Sequence, residues 1–162
     1  MIIIRKMKKS DINSVRKIAA VTWKNTYSEF IPEVIQEKVL NDAYSDEEMN
    51  KRFISSLNLI AEYNDEITGY AFFSGDLSRK EIYLESLYIH PNFQGKGIGK
   101  QLLNSGIKKY SDPSTISLSV YKGNSNLFFY KKEGFKITKE NTGNFYGHPM
   151  TFMVMTKEIA KS

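Results

Sequence analysis

The chain contains no cysteine, which excludes a disulfide framework and a thiol nucleophile and denies any zinc site its commonest sulfur ligands. Only two histidines occur, His90 and His148, far apart in sequence. No metal is expected. No apolar run approaches the ~20 residues of a membrane-spanning helix, and the opening Met1-Ile2-Ile3-Ile4-Arg5 lacks a signal-peptide layout. The expectation is a soluble, cytoplasmic protein with no membrane partner. Repeats, linkers and low-complexity tracts are also missing, so the 162 residues read as one domain, 1–162. A chain of that length buries roughly 70% of its unfolded surface.

Charge is plentiful but uneven. Net charge is +5, from 23 Lys+Arg and 18 Asp+Glu. Residues 1–90 carry 12 basic and 14 acidic side chains, a sum of −2, whereas residues 91–162 carry 11 and 4, a sum of +7. The lysines form no dense run interleaved with exposed aromatics, so a nucleic-acid surface ranks low and no nucleic-acid partner is expected. A compact polyanionic ligand held by the second half accounts for the excess.

That half contains Gln94-Gly95-Lys96-Gly97-Ile98-Gly99-Lys100. Upstream, Ile82-Tyr83-Leu84-Glu85-Ser86-Leu87-Tyr88-Ile89 reads as a strand stopped by Pro91, and downstream Ile98, Leu102, Leu103, Gly106 and Ile107 recur with helical spacing. A helix therefore starts inside the glycine run, with unpaired N–H groups and its positive dipole end facing a ligand. Phosphate or pyrophosphate is the favoured guest, with Lys96 and Lys100 beside it. The nucleotide P-loop fails on spacing, because Gly99-Lys100 is followed by Gln101. The dinucleotide fingerprint G-x-G-x-x-G fails because this run is G-x-G-x-G.

Gln94, Gly97 and Gly99 resemble the pyrophosphate loop Gln/Arg-x-x-Gly-x-Gly/Ala of the GNAT superfamily of acetyl-CoA-dependent N-acetyltransferases, directly after the strand Leu87-Tyr88-Ile89-His90-Pro91. Asn124-Ser125-Asn126-Leu127-Phe128-Phe129-Tyr130-Lys131-Lys132-Glu133-Gly134-Phe135 is similar to that family's later segment, in which an Asn opens a helix and Phe-Tyr-x-x-x-Gly-Phe closes it. Tyr83-Leu84-Glu85 and Phe129-Tyr130-Lys131 look most like the polyamine (spermidine/spermine) N-acetyltransferases, over a shorter match. In most members the Asn lies seven residues before the Tyr; here Asn124 lies six before Tyr130.

The resemblance implies an α/β, single-domain GNAT-like fold, a mixed, mostly antiparallel twisted sheet of six to seven strands flanked by helices. It implies acetyl-CoA as donor, direct transfer to an amine, and cofactor contacts at Leu87, Tyr88, Ile89, Gln94, Gly95, Lys96, Gly97, Ile98, Gly99, Lys100 and Asn124. Backbone N–H groups of Leu87, Tyr88 and Ile89 would be freed by a bulge in their strand. Tyr130 takes the place of the family's proton donor to the CoA thiolate, and Glu85 is the first candidate base, with Glu81 behind it. Glu85 reads equally as a strand-face carboxylate paired with a neighbouring Lys. GNAT domains often pair, so a homodimer is an expectation by analogy.

The acceptor is less legible. Between Asn25 and Asn50, seven acidic residues face the single base Lys38, and Trp23, Tyr27, Glu29 and Glu33 are candidates to line a small cationic amine site. A protein N-terminus or lysine is the alternative acceptor, and an acyl-CoA sensor without turnover the alternative class.

The coarse element order is a strand at Ile2–Lys6 and a helix capped by Ser10 to about Lys24. Helices from Pro32 to Leu40 and, capped by Ser45, from Asp46 to Ser56 follow, then a hairpin around Asn64-Asp65-Glu66. After the glycine-loop strand and helix come a strand at Thr115–Val120, the helix Asn126–Glu133, and strands near Phe135–Thr138 and Met150–Lys157. His148 falls in a turn-like segment before the last strand.

Overall fold

The computed structural model describes residues 1–74, 78 and 80–160. Seven strands form one sheet: β1 (Ile2–Lys6), β2 (Ser56–Tyr63), β3 (Glu66–Ser74), β4 (Glu81–Ile89), β5 (Thr115–Tyr121), β6 (Lys136–Phe145) and β7 (His148–Glu158). Their order is β1-β2-β3-β4-β5-β7-β6, antiparallel throughout except for the parallel pair β4 and β5. Helices α1 (Ile12–Tyr27), α2 (Glu33–Ala43) and α3 (Asp46–Ser55) lie on one face, and α4 (Ile98–Lys108) and α5 (Asn126–Lys132) on the other. The expected mixed, mostly antiparallel sheet is thus found. Among the described residues no helix is long and apolar enough to cross a membrane.

Alternation of side chains fills both faces. Ile82 and Leu84 of β4 and Leu59 and Ala61 of β2 meet Leu102 and Leu103 of α4; Ile60, Tyr70 and Phe72 meet Val15, Ile18 and Ala19 of α1. Between β2 and β3 the turn is Asn64-Asp65, both at positive φ, which matches the twist of a two-residue hairpin.

Three sequence expectations change at element ends. Ser10 does not cap α1: it lies in a 3₁₀ turn, Lys9–Asp11, and Asp11 takes the Lys8 N–H at 2.7 Å and both terminal nitrogens of Arg5 at 2.8 and 2.9 Å. Those contacts hold the Asp11 carboxyl below its usual range. The last two strands are longer than their apolar pattern indicates, because β6 is an exposed edge strand held by β7 with no core face of its own. His148 consequently opens β7, and the turn is Tyr146-Gly147.

Gly106 is where α4 crosses closest to the sheet. A Cβ there would sit 2.0 Å from the Phe73 ring, which is fully buried and has nowhere to go. Gly106→Ala is expected to destabilise the fold by about 3 kcal/mol despite alanine's better helix propensity. A urea midpoint equal to or above that of the parent would refute this.

Candidate active site

The site begins where β4 stops behaving as a regular strand. Against β3 its register runs Phe72 to Ser86, then Phe73 to Leu84, leaving Glu85 as an extra residue. The bulge puts Glu85 and Ser86 together on the α1–α3 face, while Leu84 and Leu87 both stay in the core under α4. Toward β5 the strand pairs only through Glu81, Ile82 and Tyr83; beyond Tyr83 the two strands splay apart. His90 N–H donates to Thr68 O at 2.8 Å, so alternation directs Ser86 and Tyr88 at β3 and turns the backbone of Leu87 and Ile89 toward the opening. The side-chain amide of Gln94 donates to Ile89 O there, at 3.2 Å.

Beyond Pro91 the chain makes a 3₁₀ turn, Pro91–Phe93, and enters the glycine loop. Gly95 and Gly97 have φ of 81° and 82°, a conformation that disfavours any Cβ, and open space lies over both. Gly97 is the N-cap of α4 and has no side chain to offer, and the first intrahelical bond is Gln101 N–H to Gly97 O at 3.1 Å. The N–H groups of Ile98, Gly99 and Lys100 are left for a ligand. Gly99 faces Phe129 so closely that a Cβ would touch its ring at 3.4 Å. The cleft above this loop has a volume of about 400 Å³ and runs from Phe93 and Gln94 past Lys100 to Asn126, Phe129 and Lys132.

A smaller hole of about 60 Å³ passes through the splay. Leu87, Asn126 and Tyr130 border both the cleft and the hole, so the two meet at Tyr130. Glu85, Ser86, Ser119 and Tyr121 line the far side. Tyr130 is buried, which pushes its hydroxyl up from the ordinary phenol range, and its hydroxyl makes no hydrogen bond to the described residues. Glu85 has Arg52 of α3 at 3.7 Å rather than a lysine; that guanidinium is stacked over Tyr44 and Phe72 and donates to Ala43 O at 2.6 Å.

The other sequence candidates divide between these cavities, the core and the surface. Trp23 is buried, bonds Tyr88 through Nε1 at 3.2 Å and packs on Tyr27, Tyr121 and Phe145. Tyr27 touches the hole, but its hydroxyl accepts from Asn124 Nδ2 at 2.7 Å. The Asn124 Oδ1 takes the Asn126 N–H at 2.8 Å at the start of α5; Asn124 lines the hole, and Asn126 lines both the hole and the cleft. Lys96 lies over the Tyr63 ring, 5.2 Å away, whereas Lys100 lines the cleft. Glu29 and Glu33 are exposed and border neither cavity; Asp46 pairs with Arg16, and Glu47 and Glu48 with Lys51. The acidic residues are therefore not gathered around the opening. Asn126, Ser86, Ser119 and Arg52 were not singled out from the sequence; only Asn126, two residues past the expected asparagine, carried any local signal.

A helix N-terminus with free N–H groups opens on a cleft that joins a hole through a splayed sheet, an arrangement suited to a long phosphorylated ligand. The chain belongs to the GNAT acetyltransferase family: residues 22–157 match the acetyltransferase (GNAT) domain. It is an enzyme of that family, with acetyl-CoA as donor. It is similar to a spermidine N(1)-acetyltransferase of Thermoplasma acidophilum, 28% identical over 150 residues that cover 88% of this chain and 92% of that protein. Another relative is the L-amino acid N-acyltransferase MnaT of Escherichia coli, 31% identical over 106 residues, 59% of this chain and 61% of that one. Among solved structures, the PaiA N-acetyltransferase of T. acidophilum in complex with coenzyme A superposes with a TM-score of 0.83 at 27% identity, covering 98% of this chain and 99% of that one.

Proposed function

We propose that the protein transfers acetyl from acetyl-CoA to a primary amine, with a polyamine or other small cationic amine as acceptor. The observation that carries the reading is the meeting of cleft and hole at Tyr130, with Glu85 on the acceptor side. The spermidine N(1)-acetyltransferase relative supports the acceptor class.

In this reading the N–H groups of Gly97 to Lys100 hold the pyrophosphate and Lys100 adds charge. The acetyl carbonyl lies against the free backbone of Leu87 and Ile89. An alkylamine with pKa near ~10.4 is almost wholly charged at pH 7, a handicap of roughly 4 to 5 kcal/mol, so Glu85 takes the proton directly or through a water. The amine nitrogen then bonds to the thioester carbon, the oxyanion is met by backbone donors, and the C–S bond breaks as the proton lost by the nitrogen ends on the thiolate sulfur beside Tyr130. No covalent enzyme intermediate forms.

Glu85→Gln is expected to lower the rate mainly below pH 8, where little acceptor is free amine, and progressively less above it. A pH–rate profile of unchanged shape would remove Glu85 as the base. The reading as a whole is tested by release of CoA thiol from acetyl-CoA with spermidine, spermine, simple diamines, L-amino acids and basic peptides in parallel. Stimulation by polyamines and diamines supports it. Stimulation by peptides alone would favour a protein acetyltransferase, and tight acetyl-CoA binding with no stimulation by any acceptor would favour a sensor.

A further inference from the structure

Backbone pairing between β4 and β5 ends at Tyr83 opposite Ser117, and the next rung across the splay is made by side chains: the Tyr83 hydroxyl donates to Ser119 Oγ at 3.1 Å. Ser119 lines the hole, and Glu85 lies two residues beyond Tyr83 on the same face of the strand. The Tyr83 side chain is 39% exposed and is not part of either core face. Its hydroxyl therefore reaches the edge of the hole at Ser119, while the ring stands outside the lining. On the opposite side of Glu85 the way is narrowed by Arg52, itself held by Ala43 O and two aromatic rings.

We infer that Tyr83 and Ser119 form an acceptor-side selector that admits slender, unbranched primary amines to Glu85. This rests on the acetyl transfer to an amine proposed above. The hole, about 60 Å³ against about 400 Å³ for the cleft, is the narrow part of the path and suits an amine on an unbranched methylene. A branch at the carbon carrying the nitrogen would meet Ser119, held by Tyr83, on one side or Glu85, held by Arg52, on the other. Closely packed walls of this kind discriminate against a single added methyl group by steric exclusion, with charge unchanged.

The test compares butylamine with sec-butylamine, which have the same atoms and charge and differ only in the branch. In the full chain the unbranched amine is expected to have the higher kcat/KM by at least twentyfold. Tyr83→Ala should reduce that ratio at least tenfold, chiefly by raising kcat/KM for the branched amine. Tyr83→Phe and Ser119→Ala, which keep the ring or the backbone and lose only the bridge, should each reduce it about threefold, with acetyl-CoA affinity retained as the control for folding. A ratio unchanged in all three variants, or a wild-type enzyme indifferent to branching, would overturn the selector. Failure of every primary amine to release CoA would sink the amine reading itself, and the selector with it.

Discussion

Replacing Tyr130 with Phe is expected to lower turnover at least tenfold while leaving acetyl-CoA binding nearly unchanged and the fold intact. Tyr27, Tyr44, Tyr70 and Tyr110 are buried with their hydroxyls bonded to Asn124, to each other's hydroxyls in the case of Tyr44 and Tyr70, and to Ser74 O. Tyr130 is as deeply buried, yet its hydroxyl has no such partner among the described residues and lies where cleft and hole join. Because the hydroxyl opens onto the cavities and holds no partner among the described residues, a packing role alone would make Phe nearly as good. Thermal stability close to that of the parent, together with the loss of turnover, would separate chemistry from packing.

The energetics also define what kind of help Tyr130 gives. A phenol near ~10 passing its proton to a thiolate near ~8.5 runs uphill by about 2 kcal/mol, and burial raises the phenol further. Lys131 and Lys132 are exposed, and burial is the cause acting on the hydroxyl. In the proposed reaction Tyr130 would therefore stay protonated through the physiological range and donate a hydrogen bond to the sulfur as the C–S bond lengthens. Turnover of the parent is accordingly expected to show no descending limb attributable to Tyr130 below pH 10. Equal turnover of Tyr130→Phe and parent would dismiss the role.

Raising the pH is expected to unfold the protein in one cooperative step a pH unit or two above 10. Burial raises Tyr27, Tyr44, Tyr70 and Tyr130 above the ordinary phenol value. Below pH 10 neither folded nor unfolded chains lose these protons, so their contribution is constant. Above it the unfolded chain releases them and the folded chain keeps them, so stability falls as pH rises toward the folded-state values. Each such group contributes a slope of about 1.4 kcal/mol per pH unit, so four together give about 5.5 kcal/mol per unit, against a typical total stability of about 5 to 15 kcal/mol. Tyrosinate absorbance and loss of far-UV circular dichroism should rise together. A smooth titration of most tyrosines near pH 10 with helical signal retained would refute it.

Much of this molecule is written locally. The helix starting at Gly97 follows from alternate glycines ahead of Ile98, Leu102 and Leu103, and α3 starts where Ser45 accepts the Glu48 N–H. The hairpin at Asn64-Asp65 needs only two residues that tolerate positive φ. Such features depend on neighbours within one turn of chain, so composition and spacing are enough to find them. The extended β6 was not legible in the same way, since its ten residues are nearly all exposed and its pairing is supplied by β7.

The sequence by itself determined the anion-binding loop, the alternation that builds the sheet and the motif segment ending in Tyr130, because each is set by backbone preference or hydrophobic period. Only the tertiary structure decided what those residues face. Asn124 turns inward because Tyr27, 97 residues away, offers a hydroxyl, and Asn126 takes the place beside the cleft. Glu85 meets Arg52 because α3 packs on β2 and brings Arg52 to that face, and the acidic residues of α2 and α3 stay outside because those helices turn Ile35, Val39, Leu40 and Met49 to the core. Contacts between distant segments depend on register and packing, which no local pattern specifies.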